Sequence, residues 1–375
     1  MKIAFFSFSS LPSQRANSVF VMKMCQGFSK LGHETVLFVP RSNNAVPHDK
    51  IFDFYDVEHR FKIIQVPKPK FFGSGITYGL LCALKAKKMS VDLAYSRHLL
   101  SGFFSVKLGI PTILESHAPF KQNGYIYDML FGYLLKAKEL KGVAVITESL
   151  KKHYVQQYPL LKRKIFVVPD AADVPEGKAR TQSLHGENDR FCVGYAGSLF
   201  KGKGIEVIIP LARLCQWATF HIVGGTQEQI DELKRQQDAP ENVYFYGFRE
   251  PWSINGYLRS FDVLLLPNQE VVNAGNQIDI GKWTSPMKLF EYMAAERPII
   301  ASDLPVIKEV LQHEKNALLC GPRDIACWVE TLERLRDSPA LGTLLSETAL
   351  EDLKRNYTWK ARARKILGYY SNQVS

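Results

Sequence analysis

The sequence predicts an α/β protein built from two doubly wound domains. Strand-like apolar segments alternate with helical segments along the chain, which is typical of parallel sheets. One polar segment with Pro and Gly, residues 174–190, interrupts this alternation. The chain has 375 residues, more than one hydrophobic core usually organises. We therefore expect a first domain at residues 1–173, a linker at 174–190, a second domain at 191–357, and a C-terminal helix at 358–375 that returns to the first domain.

The first domain begins with a βαβ unit. Its pattern predicts a strand at residues 2–7, a helix at 18–31 that ends at Gly32, and a strand at 34–40. Further short strands are expected at residues 92–95, 111–115, 142–146 and 164–169.

The second domain repeats the alternation. Strands are expected at residues 191–195, 219–223, 243–246, 263–266 and 298–302, and helices at 205–215, 229–237, 326–335, 348–356 and 359–370. Ligands of such sheets bind outside the carboxyl ends of the strands, so two of them predict a deep cleft.

The segment SPMKLFEYMA at residues 285–294 is the most informative part of the chain. Ser285 and Pro286 are typical of an N-cap and a first helical position, and Lys288 and Glu291 are expected on the polar face. A helix N-terminus beside a Lys suits a phosphate, and a Glu one turn later suits a pair of sugar hydroxyls. The alternative is an ordinary helix with a solvated ion pair.

The sequence GSLFKGKG at residues 197–204 follows a predicted strand. Gly197, Gly202 and Gly204 permit a close backbone approach, and Lys203 can reach a diphosphate. The spacing matches neither the P-loop nor the G-x-G-x-x-G pattern, so a surface turn is the alternative. Lys288 would supply a second cation.

Other candidate residues lie at predicted strand ends. His117 and His98 each follow a strand, although most histidines in such places are structural. Tyr244 precedes Gly247 and Phe248, where backbone and aromatic groups could flank a base. For Asp170-Ala-Ala-Asp173 we expect a hinge rather than a metal site. Glycosidase chemistry is not supported, because no second acid has a place beside Glu291.

Composition narrows the function classes. The six cysteines form no CxxC pair, which argues against a zinc or disulfide framework and fits a reducing cytoplasm. No apolar run approaches a membrane span, and the first ten residues lack the features of a signal peptide. The net charge is +11, and residues 1–180 hold 26 Lys and Arg against 13 Asp and Glu. This excess suggests an anionic partner, which could be a membrane surface, a lipid diphosphate or nucleic acid. The alternative is surface charge that serves solubility.

Eight segments together resemble the retaining glycosyltransferases of family 4, of the bacterial polysaccharide type, which have the GT-B fold. The most specific is SPMKLFEYMAAERPIIASDLPVIKEV at residues 285–310. The others are LGHETVLF (31–38), ILESHAP (113–119), VITESL (145–150), VVPDAAD (167–173), GYAGSLFKGKG (194–204), NVYFYGF (242–248) and FDVLLLP (261–267).

The resemblance implies roles for individual residues. Glu291 would hold the ribose hydroxyls, Lys203 would neutralise the diphosphate, and Lys288 would assist it. His117 would lie near the 6-hydroxyl and anomeric carbon of the donor sugar. The remaining donor-binding positions are the helix start at Ser285, Pro286 and Met287, the base-binding Gly247 and Phe248, and the loop residues Gly197 and Ser198.

Three positions depart from the family pattern. Trp283 stands where the family often has the first of two Glu residues, and Ser198 replaces the usual Arg of the phosphate loop. The usual Gly-Gly turn after the first strand is replaced by SSLPS at residues 9–13. Arg15 and Asn17 then become the expected donor-side loop and helix start. These departures concern the identity of the donor sugar more than the reaction class.

The expected activity is a metal-independent hexosyl transfer with retention, without a cofactor. The donor would be a UDP-sugar, with UDP-glucose favoured, and the acceptor a lipid-linked or polysaccharide glycan of the cell envelope. The chain would be cytoplasmic and peripheral on the membrane, where residues 71–72 and 76–84 before Lys85 to Lys88 form a candidate anchor. The alternative for this segment is a buried helix with a charged end. A nucleotide-sugar epimerase or hydrolase is the alternative. Nucleic-acid binding is not expected, because no motif supports it.

Overall fold

The computed structural model describes residues 1–42, 46–69, 73–175, 181–186, 190–237, 239–272 and 279–374. The chain divides into two compact units. Unit 1 comprises Met1–Pro169 and Trp359–Ser375, and unit 2 comprises Asp170–Thr358. The division thus falls a few residues before position 173, and the C-terminal helix belongs to unit 1.

Unit 1 is organised around a seven-stranded sheet in the order β3-β2-β1-β4-β5-β6-β7, in which every pair of neighbours is parallel. Its strands are β1 (Lys2–Phe6), β2 (Glu34–Pro40), β3 (Lys62–Val66), β4 (Leu93–Ser96), β5 (Thr112–Ser116), β6 (Leu140–Val145) and β7 (Ile165–Val167). The strands are short and largely buried, as expected where helices cover both faces of a parallel sheet.

The helices of unit 1 in its first segment are α1 (Ala16–Ser29), α2 (His48–Phe54), α3 (Ser74–Lys88), α4 (Leu99–Lys107), α5 (Tyr125–Leu134) and α6 (Glu148–Gln157). Two 3-10 helices occupy Phe120–Asn123 and Pro159–Arg163. Right-handed crossovers place α1 and α2 on one face of the sheet and α3 to α6 on the other, because the strand order reverses after β3.

Unit 2 contains a six-stranded parallel sheet in the order β10-β9-β8-β11-β12-β13. Its strands are β8 (Phe191–Ala196), β9 (Ala218–Val223), β10 (Val243–Gly247), β11 (Val263–Leu266), β12 (Ile299–Ser302) and β13 (Leu318–Cys320). Its helices are α7 (Ile205–Leu214), α8 (Gln227–Gln237), α9 (Pro251–Arg259), α10 (Met287–Ala294), α11 (Ile325–Asp337) and α12 (Pro339–Asn356). Two apolar clusters cover the two faces of the sheet.

The described parts of residues 174–190 lie against unit 2. The backbone N–H of Gln182 donates to Ser260 Oγ at 2.8 Å, and that of His185 donates to the Tyr246 hydroxyl at 2.9 Å. This segment therefore forms part of the surface of unit 2 where it is described.

The last helix, α13 (Trp359–Val374), packs against α1 in unit 1. Gly27 of α1 makes the close approach, because a Cβ atom there would lie 2.6 Å from the carbonyl oxygen of Trp359. The ring of Trp359 meets Phe20 edge-on at 5.2 Å, so this helix is held by buried contacts.

Each sheet has a point at which its strand order reverses, between β1 and β4 in unit 1 and between β8 and β11 in unit 2. In doubly wound sheets the crevice at such a point, outside the carboxyl ends of the strands, is where ligands bind. We therefore expect ligand-binding residues in the loops after β1, β4 and β5 of unit 1 and in the loops after β8 and β11 of unit 2.

Candidate functional site

The loop between β8 and α7 has a backbone that only glycine accommodates easily. Gly202 and Gly204 have positive φ angles of 85° and 117°. A Cβ atom at Gly202 would lie 2.0 Å from the carbonyl oxygen of Val271, and one at Gly204 would lie 2.2 Å from Pro267 Cγ. The glycines therefore fix the path of the loop that carries Lys203.

Glu206 organises the same loop from the first turn of α7. Its carboxylate accepts hydrogen bonds from the backbone N–H groups of Gly202 at 2.6 Å and Gly204 at 3.2 Å. An acidic group at a helix N-terminus is favourable, and here it also holds the loop in place. Glu206 was not among the predicted site residues, although an acidic residue in the first turn of a helix is a recognisable signal.

Lys288 of α10 lies beside this loop. Its Nζ is 3.5 Å from the carbonyl oxygen of Lys203 and 4.2 Å from the ring centroid of Tyr195. A Cβ atom at Gly197 would lie 3.6 Å from Lys288 Cδ, so the lysine stem runs past that glycine. The side chain of Lys288 is buried, so the alternative of a solvated ion pair on this helix face does not hold for Lys288.

The two lysines have lowered pKa values for related reasons. Burial lowers the pKa of Lys203. Burial and the neighbouring charge of Lys203 hold the pKa of Lys288 well below its ordinary value, while Glu291 and Glu206 act in the opposite direction. Lys288 is buried and Lys203 is half-buried. An anion would stabilise the charged forms of both lysines, so this part of unit 2 suits a phosphate group.

The start of α10 differs from the expectation. The helix begins at Met287 with Pro286 as its N-cap, and Pro286 has an extended backbone. Ser285 therefore lies outside the helix and caps nothing. Its buried hydroxyl instead accepts a hydrogen bond from the backbone N–H of Asp170 at 3.1 Å. This hydrogen bond joins the first residue of unit 2 to the segment that precedes α10.

Two further candidate positions are Glu291, within α10, and Trp283, which precedes the helix. Glu291 is half-buried one turn after Lys288, close enough to influence the pKa of that lysine. Trp283 is half-buried, and its backbone N–H donates to Ile280 at 3.0 Å. Within the described part of the chain, Asp170, Asp173 and the other acidic, His and Cys residues form no cluster of three or more that could hold a metal ion.

Gly247 and Phe248 lie at the carboxyl end of β10. Gly247 has a positive φ of 66°, and its carbonyl accepts from the backbone N–H of Gly224 at 2.8 Å. Phe248 is half-buried. The ring of Tyr244 stacks on the buried His221 at 5.4 Å, so Tyr244 serves packing within unit 2.

In unit 1, His117 follows β5 and is bonded to a buried ionic pair. Its Nε2 lies 2.7 Å from Glu115 Oε1, and the same oxygen lies 2.7 Å from Arg362 Nη2 of α13. The ring of His117 meets Phe20 edge-on at 5.0 Å. Burial and Arg97 lower the pKa of His117 to about 4 despite Glu115, so the imidazole is neutral at neutral pH.

His98, the second histidine candidate, has a structural role. Its Nδ1 accepts from the backbone N–H of Ser101 at 3.3 Å, which makes it the N-cap of α4, and its ring stacks on Phe8 at 4.7 Å. Burial and Lys68 lower its pKa to about 4.

Arg15 and Asn17 lie at the start of α1, after the loop that leaves β1. Arg15 is the N-cap residue, its side chain is exposed, and its backbone N–H donates to Ser13 Oγ at 3.2 Å. Asn17 Nδ2 donates to Ser9 Oγ at 2.6 Å, so the asparagine holds the loop against the helix. Both residues lie next to the point where the strand order of unit 1 reverses.

Two family models match the chain. The model described as Glycosyltransferase Family 4 matches residues 18–175, and the model described as Glycosyl transferases group 1 matches residues 190–338. Together they span most of both units.

Curated relatives and solved structures show the same similarity. A 2-deoxystreptamine glucosyltransferase of Streptomyces kanamyceticus is 23% identical over 59% of this chain and 56% of its own length. The lipopolysaccharide core biosynthesis glycosyltransferase LpsD of Rhizobium meliloti is 27% identical over 50% of this chain and 51% of its own length. The chain thus spans about half the length of these relatives. HepE of Anabaena in complex with UDP has a TM-score of 0.74 at 13% identity, over 99% of this chain and 100% of that one.

Proposed function

The chain belongs to glycosyltransferase family 4 and has the GT-B fold, and on that premise we propose that it is a retaining hexosyltransferase that uses a UDP-sugar. Glucose is the first choice of hexose. The observation that carries the proposal is the approach of Lys288 to the glycine-rich loop of Lys203 at the carboxyl end of β8.

The lysine pair suits a leaving group that gains negative charge. A diphosphate bound by Lys203 and Lys288 would offset the burial of both ammonium groups and raise their lowered pKa values. Charge that develops on the diphosphate during bond cleavage would be stabilised further. This arrangement supports a transfer that needs no metal ion.

The rest of the donor would bind to α10 and β10. Glu291 lies one turn after Lys288, where a carboxylate can accept hydrogen bonds from two ribose hydroxyls. Gly247 and Phe248, at the end of β10, would contact the base. The solved complexes of HepE with UDP and with UDP-glucose support a uridine nucleotide sugar, and the name of the Streptomyces kanamyceticus relative supports glucose.

In the proposed mechanism the acceptor hydroxyl attacks the anomeric carbon from the face that the diphosphate leaves, so the anomeric configuration is retained. The leaving phosphate oxygen takes the acceptor proton. Lys203 and Lys288 would stabilise the diphosphate. For His117, whose imidazole is neutral at neutral pH, we propose a contact with a hydroxyl group of the donor sugar.

For the acceptor we propose a lipid-linked or polysaccharide glycan of the cell envelope, reached at an anionic membrane surface. No helix in the described part of the chain is long and apolar enough to cross a membrane. Two helices on one face of unit 1 nevertheless expose apolar side chains, which are Ile76, Leu80 and Leu84 on α3 and Tyr125, Ile126, Met129 and Tyr133 on α5.

Lysines accompany this surface. Lys87 and Lys88 end α3, and Lys107 of α4 lies 4.2 Å from the ring centroid of Tyr133. Apolar side chains beside lysines suit shallow insertion between anionic headgroups. Phe71 and Phe72, part of the expected anchor, lie outside the described residues.

A nucleotide-sugar epimerase or hydrolase is the alternative function. It would need acids around the sugar, and Glu115 is already engaged by Arg362 and His117. A transferase is therefore favoured.

The test is a thermal-shift and product-release screen with UDP-, GDP-, ADP- and TDP-sugars, each with and without EDTA. We expect stabilisation by a UDP-sugar and turnover that EDTA does not reduce. Stabilisation by another nucleotide alone, or loss of turnover in EDTA, would overturn the proposed donor or the metal-free mechanism. Formation of a new UDP-hexose without acceptor would favour the epimerase.

A further inference from the structure

We propose that Arg362 and Glu115 are positioning residues that hold His117 as the neutral tautomer with its proton on Nε2. Nδ1 of His117 then remains a hydrogen-bond acceptor for a hydroxyl group of the substrate. The substrate part of this inference rests on the proposed function, whereas the tautomer follows from unit 1 alone.

The carboxyl group of Glu115 is ionised although it is buried. Burial alone would raise the pKa of this carboxyl group, but Arg362, His117 and Arg97 together hold it well below its usual range. Glu115 is therefore an ionised carboxylate, which can accept hydrogen bonds but cannot donate them. Since its Oε1 lies 2.7 Å from His117 Nε2, that nitrogen must carry the proton.

The imidazole of His117 carries no net charge at neutral pH. A carboxylate alone would raise the pKa of a neighbouring histidine and favour the imidazolium ion. Here the guanidinium of Arg362 lies 2.7 Å from the same oxygen and balances the carboxylate charge. Burial and Arg97 then lower the pKa of His117 to about 4. The ring is neutral, so Nδ1 bears a lone pair.

Several partners hold the side chain of Arg362 in place. Its side chain is 2% exposed, and it also donates to the carbonyl oxygens of Pro169 at 2.8 Å and Val168 at 3.1 Å. Its guanidinium lies 4.8 Å from the ring centroid of Phe20, the ring that His117 meets edge-on. The charged and titratable groups that face Glu115 and His117 are Arg362 on α13, and Tyr95 and Arg97 on and after β4.

These contacts explain what the C-terminal helix contributes to unit 1. Without Arg362, Glu115 would be a buried carboxylate with an unbalanced charge, and His117 would gain a proton more readily. The last helix thus does more than cover α1. Through Arg362, the last helix leaves Nδ1 of His117 as the hydrogen-bond acceptor. This favours a donor sugar with a hydroxyl group within reach of Nδ1.

The direct test is long-range ¹H–¹⁵N NMR of the full chain with ¹⁵N-labelled histidine, with the signal of His117 assigned from the His117→Gln spectrum. We expect the Nε2–H tautomer at pH 7 and titration well below pH 6.5. A proton on Nδ1, or titration near pH 6.5, would overturn the inference. This readout needs no substrate, so it separates failure of the inference from failure of the proposed function.

The second test uses Arg362→Met, Arg362→Lys and the matched control Arg364→Met, whose side chain is exposed on the same helix. With Arg362→Met the pKa of His117 should rise, so the acid limb of the pH profile of kcat/KM should move to higher pH. The value at pH 7 should fall by about tenfold or more. In Arg362→Lys the acid limb should lie closer to that of wild type, because the lysine keeps the positive charge. The recovery should be partial, because a lysine lacks the planar set of donors of the guanidinium group.

Arg364→Met should leave the profile unchanged. An unchanged acid limb in folded Arg362→Met, with folding checked by thermal unfolding, would contradict the positioning role. If Arg362→Met does not fold, the comparison of Arg362→Lys with wild type and the NMR tautomer decide the question. A kcat/KM that falls equally at every pH in Arg362→Met would indicate a merely structural arginine.

Discussion

The side-chain nitrogen of Lys288 lies 3.5 Å from the backbone carbonyl oxygen of Lys203, although the two residues are 85 positions apart. One lysine is on a helix and the other is on the loop after β8. Since burial lowers both pKa values, holding the two lysines charged has a cost that an anionic ligand would offset. This relationship is the basis of the first prediction.

Lys203→Ala and Glu291→Ala should each reduce kcat/KM for the UDP-sugar at least about tenfold, because each removes a group proposed to bind the donor. Lys201→Ala is the matched control, since that lysine is exposed two positions before Lys203. Initial-rate kinetics with varied donor measure the effect. Wild-type values for both variants would refute the proposed donor site.

Gly204→Ala should destabilise unit 2 by about 1–3 kcal/mol or more. The φ angle of 117° disfavours a side chain, and the new Cβ atom would lie 2.2 Å from Pro267 Cγ. Gly368→Ala on α13 is the control, because no atom lies within 4 Å of its added Cβ atom. That change should stabilise its helix by about 0.5–1 kcal/mol. Calorimetric melting temperatures test the contrast, which equal shifts would contradict.

The melting temperature should fall as the pH is lowered from about 6.5 toward 4. Burial holds the pKa of His98 at about 4, against an ordinary value of 6.5, so in this window the unfolded chain binds a proton that the folded chain does not. His117 and His221 contribute with the same sign.

The variant that checks this account is His98→Asn, which retains an N-cap acceptor for α4 but cannot titrate. Its melting temperature should depend less on pH than that of the wild type. His48→Asn, at an exposed histidine, should leave the slope as it is. Identical slopes in all three proteins would mean that His98 is not a source of the acid sensitivity.

Met129→Glu should weaken binding to vesicles that contain anionic lipid, because it places a charge within the exposed apolar face of α5. The loss should be severalfold in a flotation assay at physiological salt. Leu344→Glu is the control, since it changes an equally apolar exposed residue on α12 of unit 2. If wild-type protein does not float, or floats equally well as Met129→Glu, the proposed membrane surface is wrong.

The fold class and most strands could be predicted because strand and helix periodicity is a local property of the sequence. The pattern for β11 predicted the observed Val263–Leu266, and that for α7 was within one residue at its end. Helices α2, α4, α5, α6 and α9 and strands β3 and β13 were not anticipated. These helices have seven to ten residues, and such short helices owe their stability to packing rather than to their own pattern.

The candidate site shows the same limit at the level of single residues. Serine is a residue type favoured at N-caps, but the hydroxyl of Ser285 accepts a hydrogen bond from the backbone N–H of Asp170. Folding alone brings these two residues together. His98 and His117 both follow strands in the sequence. Only the packing shows that His98 caps α4, while His117 is bonded to Glu115.

The sequence by itself determined the class of fold and the segments proposed to bind the donor, because a glycine-rich loop and the start of a helix are contiguous patterns. The tertiary structure alone decided how His117 is held. Glu115 and Arg362 are 247 positions apart, and the apolar pattern of α13 predicts a helix without indicating which carboxylate its arginine meets. Long-range pairing depends on how helices pack on a sheet, and that packing has no local signature.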